Sequence, residues 1–224
     1  MTEKLGGLLF DLDGTLIDTA TDMGEALNRL LREERKPALS AASIRPHVSH
    51  GSKALVALGF GDKLSRDLEA ELIKRYLDCY AQCVAEESKL FTGMDALLQR
   101  LEDRGTAWGV ITNKPARFAV PLMQQLDLSK RCSSLVCGDS MALRKPHASP
   151  LMLACSHANL AAEKSVYVGD ADRDIAAGIA ANMRTVVMQW GYFGADEDTA
   201  SWGADWHCAD ADALWRVCEQ TGLA

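Results

Sequence analysis

The chain has 224 residues, 48% apolar and 25% charged, the make-up of an ordinary globular protein with one large domain or one domain carrying an insertion. Its 24 basic and 31 acidic side chains leave a net charge of −7 without any Lys/Arg stripe, which excludes nucleic-acid or anionic-membrane binding through surface charge. No apolar run nears the ~20 residues that cross a membrane, and seven cysteines without a Cys-x-x-Cys pair read as reduced thiols of a cytoplasmic protein.

Residues 7–10 are a short apolar run that stops at Asp11, which reads as a strand leading into an acidic turn. With a strand reached so early, no secretory leader is expected. Residues 20–35 read as a helix, since Ala20, Met23, Leu27, Leu30 and Leu31 recur at helical spacing. A short helix over 51–60 follows the turn-like Ser49-His50-Gly51. Ser65 reads as the N-cap of a helix with Leu68, Leu72, Tyr76, Tyr80 and Val84 on its apolar side. Thr92-Gly93-Met94-Asp95 reads as a capping box that opens a helix to about residue 104. The pattern then alternates: strand 108–111, helix 116–126, strand 135–137, and a helix with Ser149 as N-cap and Pro150 at its first position. Strand 166–168, helix 172–181, strand 185–188 and a terminal helix 210–219 complete it.

Unbroken apolar strands that alternate with helices predict an α/β fold with a parallel sheet flanked by helices on both faces. Residues 18–85 hold helices and no convincing strand, so they are expected to form a small all-helical domain inserted after the first strand. Residues 1–17 and 86–224 then make up the α/β core.

Several chemically active residues stand just past strands. Asp11 and Asp13 follow the first strand, Thr112 the second and Asp170 the strand 166–168, while Lys145 lies in the loop before the helix at 150. Open α/β sheets bind ligands beyond the carboxyl ends of their strands, so the topology predicts that these residues converge. Gathered carboxylates repel one another unless a cation joins them. A set of hard oxygen ligands suits Mg²⁺, which is commonly completed by a substrate phosphate. A lysine ammonium and a threonine hydroxyl supply the positive charge and the donor that a phosphoryl group requires.

Phe10-Asp11-Leu12-Asp13-Gly14-Thr15-Leu16 resembles the first motif of the haloacid dehalogenase (HAD) superfamily of phosphohydrolases. Thr112-Asn113-Lys114-Pro115 resembles the second motif, Arg144-Lys145-Pro146 the third, and Gly169-Asp170-Ala171-Asp172-Arg173-Asp174 the fourth. They occur in order over almost the whole chain. The form of the second motif, Lys145-Pro146-His147 and Trp190-Gly191-Tyr192 are similar to the phosphoglycolate phosphatase group. Residues 48–56 and Ser201-Trp202-Gly203-Ala204-Asp205 are similar to a bacterial branch named for phosphoglycolate phosphatase or N-acetylmuramic acid 6-phosphate phosphatase. Departures are Ala148-Ser149 where Pro-Ala is frequent, Asn182 for a common Gly, and Thr92 for a usual Pro. None removes a group that the chemistry needs.

The resemblance implies a Rossmann-like HAD core and a Mg²⁺-dependent phosphomonoester hydrolase that works through an aspartyl-phosphate on a small phosphorylated metabolite. Phosphoglycolate is the first substrate reading and N-acetylmuramic acid 6-phosphate the alternative. By the same resemblance Asp11 attacks phosphorus, and Asp13 is general acid and then general base. Asp11, the Asp13 backbone carbonyl and Asp170 hold the metal. Thr112 and the backbone amides of Asn113 and Asp13 hold phosphoryl oxygens, and Lys145 neutralises both nucleophile and phosphoryl group. Asp174 orients Lys145 or a water on the metal. The inserted helices become a mobile cap in which Ser49, His50, Gly51 and Lys53 are candidates for leaving-group recognition. Tyr76, Tyr80, Trp108 and the methionines read as core. A sugar-phosphate mutase and a non-catalytic binding module are the rival readings; the intact acid, lysine and threonine set argues against the second. No nucleic-acid or membrane partner is expected, and monomer and homodimer both fit.

Overall fold

The computed structural model of the protein describes residues 5–194 and 197–224. Strand β1 (Leu8–Phe10) is fully buried and ends at Asp11. A two-residue strand, β2 (Ile17–Asp18), pairs antiparallel with β3 (Lys89–Leu90). Between those two lie helices α1 (Ala20–Glu33), α2 (Ala41–Ile44), α3 (Gly51–Phe60) and α4 (Arg66–Ala81), with a 3₁₀ turn over Arg45–His50. The chain continues through α5 (Met94–Asp103), β4 (Trp108–Ile111), α6 (Ala116–Gln125), β5 (Ser134–Val136) and α7 (Ser149–Ala158). It closes with β6 (Val166–Gly169), α8 (Asp172–Ala180), β7 (Arg184–Met188), β8 (Trp206–Cys208) and α9 (Ala211–Thr221). Strands pair in the order β5-β4-β1-β6-β7-β8, all parallel. Phe10 registers with Val110 on one side and Val168 on the other, so the loops after β4, β1 and β6 emerge side by side.

Alternation along each strand divides the core into two layers. Leu8, Phe10, Val110 and Val168 pack with Leu97 and Leu101 of α5 and Leu214 of α9. Leu9, Ile111 and Tyr167 face the opposite way, onto Leu151 and Ala154 of α7 and Ala177 of α8. Because both faces are covered, the strands read as apolar runs rather than alternating ones. Helices α1–α4 bury a cluster of their own, with Leu27 and Leu30 of α1 against Leu72, Tyr76 and Tyr80 of α4, and it reaches Phe118 and Tyr192 of the α/β part. Each such apolar side chain contributes roughly 1.5–3 kcal/mol on burial. All cysteines except Cys132 are buried, as small apolar side chains are. No helix among the described residues is long and apolar enough to cross a membrane.

The two parts are joined by polar anchors. Asp22 of α1, buried, accepts from the backbone N–H of Glu87 and Ser88 and from the Ser88 hydroxyl just before β3. The Tyr192 hydroxyl accepts from the N–H groups of Thr19 and Ala20 and donates to Asp18. Helix α1 is thus capped by a distant tyrosine, for its own N-cap Thr19 makes no side-chain cap bond.

Some local expectations are corrected. Residues 92–95 form no capping box: Gly93 is the N-cap of α5 at φ 84, with no side-chain bond. Ala148, not Ser149, is the N-cap of α7, which places Ser149 as the first helical residue. Leu68 is 43% exposed and stands off the apolar side of α4. Strands β2, β3 and β8 were not anticipated, because two or three residues are too short to show a period.

Candidate active site

Asp11 is the first residue beyond β1, and its N–H donates to the carbonyl of Val168 at 2.8 Å. The chain then folds back through Gly14 at φ 84, where a Cβ would strike the Asp170 carboxylate; only glycine meets both demands. Asp170 is held by three donors: the hydroxyls of Thr15 (3.0 Å) and Ser49 (2.9 Å) and the N–H of Tyr192 (3.0 Å). 

Asp174, in the first turn of α8, caps its own helix by accepting from the N–H of Ala171 at 3.1 Å.

The carboxylate oxygens of Asp11, Asp170 and Asp174 lie within 4.8 Å of one another, and all three residues are buried. One ammonium stands among them. Lys145 Nζ is 2.7 Å from Asp11 Oδ1, 2.7 Å from Asp174 Oδ1 and 2.9 Å from Tyr167 Oη. The ammonium is thus ion-paired to two carboxylates and hydrogen-bonded to the Tyr167 phenol, and Asp174 Oδ1 takes no hydrogen bond among the described residues. Tyr167 in turn donates to the carbonyl of Ile111, and the Asn113 side chain grips the backbone N–H and carbonyl of Lys145.

Three carboxylates against Lys145 and the nearby guanidinium of Arg173 still leave buried negative charge in excess. Burial first, and then the Asp174 charge, push Asp11 up to about 7, although Lys145 works against the rise. Burial and Asp174 likewise push Asp170 up to about 6. Burial alone would lower Lys145; Asp11 and Asp174 outweigh it and hold the ammonium above the usual range. Hard oxygen donors with unbalanced charge fit a divalent cation.

Asp13 is turned the other way. Its Oδ1 accepts from the Thr19 hydroxyl at 2.6 Å and from Lys114 Nζ at 2.8 Å. Lys114 is buried, which opposes its charge, but the Asp13 carboxylate lifts it above the ordinary lysine range. Thr112 is buried at the end of β4 and accepts from the N–H of Lys114 at 3.0 Å.

A cavity of about 420 Å³ separates these strand ends from the helices. Asp11, Asp13, Thr112 and Lys145 line it below; Ser49, Tyr76 and Tyr80 line it above. Of the loop residues singled out in the sequence, Ser49 is brought to the acidic cluster, and Arg173 donates to its carbonyl at 2.6 Å. His50 Nε2 lies 3.5 Å from Glu197 Oε1. Lys53 stands at the rim, its side chain 71% exposed and 3.0 Å from Glu69. Gly51 turns the 3₁₀ segment into α3 at φ 78 and has open space around it.

Sequence reasoning gave no role to Thr15, Thr19, Lys114, Tyr167 or Arg173. Lys114, Thr15 and Arg173 lie inside the motifs, and Tyr167 is the one polar side chain in an apolar strand, which is a usable signal. Tyr76 and Tyr80 are buried as expected, but they also line the cavity.

Residues 8–188 match the model of a family described as haloacid dehalogenase-like hydrolase. The chain is 42% identical over 208 residues to the phosphoglycolate phosphatase of Xanthomonas campestris pv. campestris, covering 93% of this chain and 94% of that protein. It is 41% identical over 202 residues to the N-acetylmuramic acid 6-phosphate phosphatase of Pseudomonas putida, covering 90% and 91%. Its fold is similar to the crystal structure of a predicted phosphoglycolate phosphatase from Haemophilus somnus, with a TM-score of 0.83, 22% identity, and coverage of 97% and 99%.

Proposed function

The chain belongs to the haloacid dehalogenase-like hydrolase family, and from that premise we propose that it hydrolyses a small phosphate monoester through a phosphorylated Asp11, with phosphoglycolate as the first substrate. The observation that carries this reading is the division of labour between the two acids after β1. Asp11 faces the acidic cluster and Lys145, while Asp13 faces Thr19 and Lys114 across the same cavity.

In the first step an Asp11 oxygen bonds to phosphorus and the bond to the leaving oxygen breaks, with Asp13 giving that oxygen a proton. In the second, Asp13 takes a proton from water, the water oxygen bonds to phosphorus, the bond from phosphorus to the Asp11 oxygen breaks, and inorganic phosphate leaves with the Asp11 carboxylate restored. Thr112 and the backbone N–H groups of Asn113 and Asp13 hold the phosphoryl oxygens, and Lys145 offsets their charge. Asp174 positions Lys145. A Mg²⁺ ion held by Asp11, Asp170 and the Asp13 carbonyl would supply the positive charge that lets a carboxylate approach a phosphate.

Residues 18–85 act as the cap over the core formed by 1–17 and 86–224. Ser49 closes the cap on Asp170. Gly51 gives the loop its turn, and His50 and Lys53 stand at the mouth, where only a long leaving group reaches them. A cavity of about 420 Å³ falls within the roughly 300–1,000 Å³ of sites for larger small molecules. It is more than a two-carbon acid fills, and this keeps N-acetylmuramic acid 6-phosphate as the second reading.

The test is phosphate release from a panel of esters that includes both compounds, ranked by kcat/KM. Phosphoglycolate is expected first. Transfer of phosphate to a sugar without release would indicate a mutase instead, and release from no ester would overturn the reading.

A further inference from the structure

Two buried polar groups in the cavity have no task in the steps above. The first is Tyr80 of α4, which is 2% exposed, lines the cavity, and has no hydrogen-bond partner for its hydroxyl among the described residues. Buried hydroxyls in folded proteins are normally paired, and an unpaired one that faces a cavity is the mark of a missing partner. Burial pushes this phenol up to about 12 against the charge of Lys114 and the approach of that ammonium to the phenol oxygen, so its O–H is kept and remains free to donate.

The second is Lys114. Lys145 is paired with two carboxylates and a phenol. Lys114 has one carboxylate, Asp13, with the Met23 sulfur at 3.9 Å and the face of the Tyr80 ring 4.7 Å from Nζ. Met23, Tyr76 and Phe118, buried in one apolar cluster with Tyr80, line the same cavity. A cation and an unpaired donor against an apolar wall recognise an anion strongly, because little solvent screens them.

We propose that Lys114 and Tyr80 form the subsite for a carboxylate on the leaving group, borne by the ester carbon itself. The proposal rests on the phosphatase reading and deepens it. Geometry sets the short reach. Asp13 must meet the leaving oxygen to give it a proton, and Lys114 Nζ lies 2.8 Å from Asp13 Oδ1. An anion on Lys114 therefore lies within about three hydrogen-bond lengths of the ester oxygen, each ~2.8 Å. The phosphate of a short 2-hydroxy acid meets that span; a carboxylate on the far side of a sugar ring does not. The two groups also come from opposite walls, Tyr80 from the helices and Lys114 from the loop after β4, so the subsite is complete only when the helices lie over the sheet.

The experiment compares phosphoglycolate with its amide, which has the same shape without the charge, on the full chain with Mg²⁺. The readout is the ratio of the two kcat/KM values. The unmodified enzyme is expected to favour the acid by roughly tenfold to a hundredfold, and Tyr80→Phe and Lys114→Met each to lower that ratio about tenfold. Tyr80→Phe keeps the ring and its packing, so it decides the matter if Lys114→Met does not fold. Ratios that do not move in the variants, an unmodified enzyme indifferent to the charge, or a preference for a carboxylate across a sugar ring would each overturn the subsite. These outcomes leave phosphate release intact. Failure to release phosphate from any ester instead removes the phosphatase reading, and the subsite with it.

Discussion

The sheet side of the cavity consists of charged groups whose partners are fixed by the backbone or by other buried side chains. Lys145 is held by Asp11, Asp174 and Tyr167, and its main chain by Asn113. The helical side is built from Met23, Tyr76 and Tyr80, with a loop whose charged side chains pair at the rim, Lys53 with Glu69 and His50 near Glu197. The first arrangement suits a group that never varies and must be met at fixed distances. The second suits a group that varies from one ester to the next. If the division is real, changes on the sheet side reduce turnover of every substrate, and changes on the helical side alter the order of preference.

The largest effect is expected for Asp11→Asn. On the proposed mechanism it removes the nucleophile, and phosphate release should fall by roughly 10⁴-fold or more for all esters alike. Mass spectrometry of the unmodified enzyme quenched during turnover should find phosphate on the peptide that holds Asp11; phosphate on another residue rejects the assignment. Since Asp11 is a buried carboxylate pushed up to about 7, the same variant should melt higher than the unmodified protein in metal-free buffer at pH 8.

Chelation comes next. Activity should fall to background on removal of divalent cations and return with Mg²⁺. The linked stability has a definite sign. Asp11 and Asp170 titrate near 7 and 6 in the folded chain, against 3.8 for an unperturbed aspartate. Both values are raised, so their contribution is fully present below about pH 4 and is lost as pH rises through 6–7. In thermal melts, Mg²⁺ should therefore raise Tm more at pH 8 than at pH 5. An equal rise at both would break the link between the acidic cluster and the cation.

The same division governs how much of the molecule was legible in the sequence. The parallel sheet showed because strands buried on both faces leave unbroken apolar runs, and Asp11, Thr112 and Asp170 showed because each ends such a run. Lys114 was in plain view but without meaning, since its role depends on Asp13 101 residues earlier and on the ring of Tyr80. Helical periodicity marked Tyr80 as buried and could not say that its hydroxyl would lack a partner. The ribbon β2–β3 is two residues long on each side and has no period to read.

A smaller effect is expected at Ser49, where the two sides touch. Ser49→Ala removes one donor from Asp170 but leaves Thr15 and Tyr192 in place. A single hydrogen bond contributes about 1 kcal/mol, which is roughly fivefold in rate. Because the Ser49 hydroxyl is engaged with Asp170, as the proposed closure of the helices over the sheet requires, the loss should be the same for phosphoglycolate and for an aryl phosphate. Unequal losses would move Ser49 to the substrate-reading side of the comparison.

The smallest effect is expected at Lys53, and it separates the two substrate readings. Its side chain is 71% exposed and paired with Glu69 at 3.0 Å, and exposed pairs of this kind contribute about 0–1 kcal/mol to stability. Lys53→Ala should fold normally and melt within a few degrees of the unmodified protein. A glycolate leaving group bound near Asp13 does not extend to the rim, so phosphoglycolate turnover should change by less than about threefold, inside what an exposed contact supplies. The lactyl carboxylate of N-acetylmuramic acid 6-phosphate is carried across the sugar ring from its phosphate. If that ester is the better substrate, its leaving group passes the mouth, and Lys53 must leave Glu69 to meet it. Its kcat/KM should then drop about tenfold in the variant, as expected for the loss of a charge-assisted hydrogen bond, while phosphoglycolate turnover stays level. A drop confined to the sugar ester would favour the second reading, and a drop on phosphoglycolate alone would mean that the mouth closes further onto the sheet than the Lys53–Glu69 pair allows.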